Sequence, residues 1–72
     1  MPRKKRDIRR EYRQAGFDER QGKGDHTIFS HPLVSDNFAV DGKDGADAKP
    51  YDEKELQRAK RELAAAKRRQ KP

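Results

Sequence analysis

The chain contains no cysteine, which removes disulfides and thiolate metal ligands as ways of holding so short a polymer together. That absence fits a reducing compartment, and the expected location is cytoplasmic. No apolar run approaches the roughly 20 residues a membrane span needs. The basic N-terminus has no apolar segment of the kind a signal peptide requires, so no membrane association is expected. Apolar residues are sparse as well, at 29% of 72. A chain of this size can build one small core and no more. The expectation is therefore a single domain over residues 1–72, with an ordered core at about 5–66 and basic, frayed ends. No internal repeat is visible. Carboxylates are not clustered to hold a metal, so neither metal nor small-molecule cofactor is expected. Histidine, the side chain best suited to proton transfer near neutral pH, occurs twice, as His26 and His31.

Charge is abundant and unevenly spread. Charged residues make up 44% of the chain, and the net charge is +6. Residues 1–13 hold seven Lys/Arg against two Asp/Glu, and residues 54–72 hold eight against two. Between them, residues 14–53 hold four against nine. Two basic ends thus flank an acidic middle. Blocks of like charge contact phosphate backbones or acidic partners, or they are solvated helix faces.

Residues 3–15 read as a first helix, with Ile8, Tyr12 and Ala15 on one narrow stripe. Gly16 follows as its C-terminal stop. Arg9 lies beside that stripe, which makes the helix poorly amphipathic. Residues 17–21 can form a first strand, and Gly22-Lys23-Gly24 a turn. Residues 25–31, rich in Thr, Ile and Phe, read as the second strand, ended by Pro32. Ser35-Asp36-Asn37 reads as the next turn and Phe38-Ala39-Val40 as the third strand. For the last helix, Asp52 and Glu55 suggest a capping box, with Tyr51 and Leu56 as a hydrophobic staple. Leu56, Ala59, Leu63 and Ala66 recur at helical spacing, and the stretch from Lys67 onward is expected to fray. The fold class is α+β in the order α-β-β-β-α: a three-stranded antiparallel sheet with both helices on one face.

The run A-G-F (Ala15 to Phe17), the stretch G-K-G-D-H with F-x-H-P downstream (Phe29 to Pro32), and the Gly42 to Tyr51 stretch before the last helix together resemble the HicA family of bacterial toxins. The likeness covers residues 5–65. It implies a fold similar to the double-stranded-RNA-binding domain. It also implies a metal-independent endoribonuclease that cuts messenger RNA and is held inactive by a HicB-like antitoxin protein. The family's key histidine follows the glycine turn, which here is His26. The family usually has Gly-Ser-His, whereas this chain has Gly24-Asp25-His26, with a carboxylate next to the histidine. Arg9 also stands where the family commonly has an aliphatic residue.

On that reading, His26 moves a proton as general base or acid while the RNA supplies its own 2′-OH nucleophile. Lys23 is a candidate phosphate ligand. The N–H groups around Gly22 and Gly24 are candidate anion donors. Arg9 and Arg13 are candidates for backbone contact or for plain solvated charge. Strand alternation sets His26 and His31 on opposite faces unless a bulge intervenes, which leaves His31 at the edge of the core. The competing reading is a non-catalytic RNA-binding module of the same fold, in which His26 is a dispensable exposed residue.

Overall fold

The computed structural model describes residues 3–69. The elements run α1 (Lys5–Gln14), β1 (Asp18–Gln21), β2 (Thr27–His31), β3 (Val34–Val40) and α2 (Pro50–Arg69). The sheet is antiparallel in the order β1-β2-β3. Phe29 pairs with Phe38 and Thr27 with Val40, so alternation turns these four side chains to one face. Ile8 and Tyr12 of α1 and Leu56, Ala59 and Leu63 of α2 pack with Phe29, Phe38 and Val40 in one core. Both helices therefore cover the same side of the sheet. Tyr12 lies flat on Phe29, with ring centroids 4.5 Å apart, while Phe17 meets it edge-on at 5.5 Å. Burial pushes the Tyr12 phenol well above its ordinary pKa, and its hydroxyl has no hydrogen-bond partner among the described residues.

The expected order of elements is the observed one; α1, β1 and β2 are each shorter than expected by one or two residues at an end, and two boundaries move further. Ser35, Asp36 and Asn37 are strand residues rather than a turn, because β2 and β3 are joined two residues after His31, by Pro32-Leu33. His31 secures that turn: its Nδ1 accepts the Leu33 N–H at 3.0 Å. The second shift is at α2, which begins at Pro50, a position where the absent N–H of proline costs nothing. The Asp52 carboxylate reaches back to the Lys49 N–H at 2.8 Å. Asp52 therefore closes the helix start from inside its first turn, and the expected pairing with Glu55 is not the cap. Tyr51 is 65% exposed, so it forms no staple with the buried Leu56. The helix stays regular through Lys67 to Arg69.

The buried face of α1 is Lys5, Ile8, Arg9 and Tyr12, at i, i+3, i+4 and i+7. Two of these four side chains are cations, and each is met by oxygen atoms. Lys5 Nζ lies 3.3 Å from the buried Asp52 carboxylate and 3.2 Å from Asp41. Its stem crosses Gly42, whose φ of +93° suits glycine and whose missing side chain leaves the stem room.

Candidate functional site

The turn between β1 and β2 is built by local hydrogen bonds. The Gly22 N–H donates to the His26 carbonyl at 2.8 Å, and the His26 N–H donates to the Lys23 carbonyl at 3.2 Å. Gly24 takes φ +63°, a conformation that favours glycine. His26 thus stands in the turn, one residue before β2, rather than inside the strand. Its side chain is exposed, as is that of Lys23. A side chain at Gly22 would come within 3.1 Å of His26 Cβ and 3.4 Å of Ile28 Cδ1, so the glycine gives both of them space. Ile28 alternates with the inward-facing Thr27 and Phe29, so this group lies on the sheet face that the helices leave open.

Across the sheet, Thr27 pairs with Val40, which brings the following residue, Asp41, toward His26. The Asp41 carboxyl is held below its ordinary pKa, first by the hydrogen bond from Lys5 and to a smaller extent by the nearby His26. The partner that holds the Asp41 carboxylate is Lys5, at 3.2 Å.

Of the proposed anion donors, the Gly22 N–H is consumed in closing the turn. The hydrogen bonds that close the turn do not use the Gly24 N–H. Lys23 projects from the same turn into solvent. His26, Lys23 and Gly24 therefore share one exposed turn.

Arg9 and Arg13 belong to the other side of the sheet. The Arg9 side chain is 5% exposed. Its guanidinium donates to Thr27 Oγ1 at 3.0 Å, to Asp44 at 2.7 Å and to the carbonyls of Asp25 (3.0 Å), Val40 (3.3 Å) and Gly42. So Arg9 grips the residue on each side of His26 and ties both to the end of β3. This is a positioning role, not a solvent-facing phosphate contact. Arg13 is held by Glu19 through two bonds of 2.6 and 3.1 Å. That pairing lowers the Glu19 carboxyl pKa and raises that of Arg13. Together Arg9, Arg13, Glu19, Lys43 and Asp44 border an open depression of about 330 Å³ with both signs of charge on its walls.

His31 lies at the other end of β2, roughly 16 Å from His26 at about 3.3 Å per residue. The register shifts between Phe29 and His31, and the His31 ring meets Phe17 edge-on at 5.5 Å. It is a packing and turn-closing residue, and the two histidines do not share a site.

Sequence reasoning missed Lys5 and the inward role of Arg9. The 5-8-9-12 spacing was the signal, and the chemistry of the residues at 5 and 9 obscured it. Among the described residues, no group of three or more His, Cys, Asp or Glu side chains is placed to hold a metal ion. No helix among them is long and apolar enough to cross a membrane. No protein-family model, curated protein sequence or solved structure matches the chain.

Proposed function

We propose that this chain is a HicA-like endoribonuclease, a toxin that cuts messenger RNA on a double-stranded-RNA-binding-domain-like fold. One observation carries the reading: His26 is exposed at the end of a hydrogen-bonded glycine turn that also carries the exposed Lys23 and the Gly24 N–H. His26 takes the proton of an RNA 2′-OH as that oxygen attacks the adjacent phosphorus. The P–O5′ bond breaks, the leaving oxygen gains a proton from His26 or solvent, and the products are a 2′,3′-cyclic phosphate and a 5′-hydroxyl. Lys23 and the Gly24 N–H offset charge on the phosphorane, where fixed donors act most strongly. Arg9 fixes the backbone on both sides of the histidine, which supports a preorganised site. A HicB-like antitoxin would inhibit by covering the open face around His26 and Ile28.

The test is cleavage of a labelled RNA by the purified protein in the presence of a chelator, wild type beside His26→Ala. The expected result is cutting by wild type and a loss of at least about 100-fold in the variant, the scale of acid–base catalysis. Equal cutting by both would overturn the role of His26. Binding without cutting by either would favour the non-catalytic RNA-binding module, which the lack of a second histidine near His26 supports.

A further inference from the structure

The open face of the sheet carries a cation that the cleavage reading does not use. Glu19 of β1 reaches α1, where Arg13 binds it through two bonds. Alternation then turns Arg20 to the opposite face, the one the helices leave open. The register agrees: Arg20 pairs with Ile28, whose neighbours Thr27 and Phe29 are buried on the helix side. One step further along the ladder, the Gly22 N–H bonds the His26 carbonyl. A side chain at Gly22 would meet both His26 Cβ and Ile28 Cδ1, so these two side chains leave the backbone on the same side as Arg20. Arg20 and His26 are therefore diagonal neighbours on one face, with Cα atoms roughly 7–8 Å apart, a gap that a long side chain spans. Arg20 also differs from most arginines of the chain. Arg3, Arg9, Arg10, Arg13 and Arg58 are each bound to a carboxylate. Arg20 is exposed and has no acidic partner among the described residues, although it lies in the acidic middle of the sequence. Directly across from it stands the half-buried, apolar Ile28, which limits water between the two strands at this point.

We propose that Arg20 is a phosphate ligand of the His26 site: its guanidinium binds the two non-bridging oxygens of the phosphate at which His26 acts. The inference rests on the cleavage reading and adds to it the group that answers the charge of the phosphorane. The 2′-OH proton goes to His26, the 2′-O–P bond forms, and the P–O5′ bond then breaks with its electron pair leaving on O5′. Between those events the non-bridging oxygens carry an extra negative charge. Arginine suits that task because its planar fork offers two parallel N–H donors, matched to two oxygens of one phosphate, and it stays charged at any working pH. Lys23, by contrast, brings a compact point charge on a turn. A donor rooted in a paired strand is held in place before the reaction starts, which is where electrostatic stabilisation gains most. An arginine that only kept the β1 edge soluble would serve equally well on either face. Its place beside His26, with its charge unspent, is what points to a ligand.

The experiment compares the full wild-type chain with Arg20→Gln, Arg20→Lys and a control of equal charge, Arg6→Gln in α1. The first readout is single-turnover cleavage of a labelled RNA. Arg20→Gln is expected to lower the limiting rate at least about 100-fold and to change the half-saturating concentration by no more than about threefold, because the contact strengthens in the transition state. Arg20→Lys should recover part of the rate, and Arg6→Gln should stay within about threefold of wild type, since a distant exposed charge is screened. The second readout needs no cutting. A short oligonucleotide lacking 2′-hydroxyls is titrated into wild-type protein while NMR follows the Arg20 Nε–H and the His26 ring. Both signals are expected to move with one Kd. Equal cutting by Arg20→Gln and wild type, or equal slowing by Arg20→Gln and Arg6→Gln, overturns the proposal. So does a titration in which the ring moves without the guanidinium, or in which neither moves. If wild type does not cut and both signals still move together, the cleavage reading fails while the shared phosphate contact stands.

Discussion

Helices α1 and α2 both carry rows of lysine and arginine, yet they use them in opposite ways. Lys5 and Arg9 of α1 point into the protein, where Asp41, Asp44, Asp52 and three backbone carbonyls receive them. Lys54, Arg61 and Arg68 of α2 are exposed and have no acidic partner among the described residues. The same residue types serve as internal struts in one helix and as outward charge in the other. A count of basic residues therefore says little about how many can meet a partner. What decides it is whether the cation falls on the stripe that the fold buries.

The largest expected contrast is in stability. Arg9→Met removes the donor to several carbonyls and leaves them without a partner, at a cost of about 3 kcal/mol or more. In a chain this small, that is most of the folding free energy. Urea unfolding should place the variant largely unfolded or nearly so, while Arg61→Gln should change stability by no more than about 0.5 kcal/mol. Similar losses from both changes would erase the distinction between the helices.

A middle-sized effect should follow acid. The carboxyls of Glu19, Glu53 and Asp41 are lowered from ordinary values of 4.5, 4.5 and 3.8, in each case first by a hydrogen bond from Arg13, Arg3 or Lys5. A carboxyl depressed in the folded state adds stability that is full above its unfolded value and is lost as pH falls through the folded one. Stability should therefore be flat from neutral pH down to about 5 and decline below about 4. Solvent screening holds each of these pairs to about 0.5 kcal/mol, and salt should shrink the decline. A stability that rose on acidification through that window would show that these pairs do not favour the fold. The smallest effect expected is on Lys54, Arg61 and Arg68: neutralising all three should leave the urea midpoint almost unchanged, since none has an acidic partner among the described residues. A marked loss would mean that the outward row is structural after all.

The parts of the fold legible in the sequence were those fixed by neighbours along the chain. The Gly22-Lys23-Gly24 turn and the apolar run after it locate His26, and the 56-59-63-66 spacing locates the buried face of α2. The parts that were not legible depend on residues far away. Ser35, Asp36 and Asn37 have turn-forming side chains, but pairing with β2 draws this segment into the sheet and sets the turn at Pro32-Leu33. Arg9 looks like a surface cation until Asp44, 35 residues on, is seen to accept from it. Asp52 looks like a helix cap to be completed by Glu55, but it bonds the Lys49 N–H and faces Lys5. For the site, the pairing of His26 with a glycine turn was readable. The separation of Arg9 and Arg13 onto the other side of the sheet was not, because it is decided by distant partners, Thr27 and Asp44 for Arg9 and Glu19 for Arg13.

The chemistry of the cut ends tests the role of His26 most directly. If His26 activates the 2′-OH, wild-type protein should leave RNA with a 2′,3′-cyclic phosphate and a 5′-hydroxyl, and a substrate with a single 2′-deoxy nucleotide at the cleaved position should resist. A 5′-phosphate product, or unimpaired cutting at the deoxy position, would contradict it.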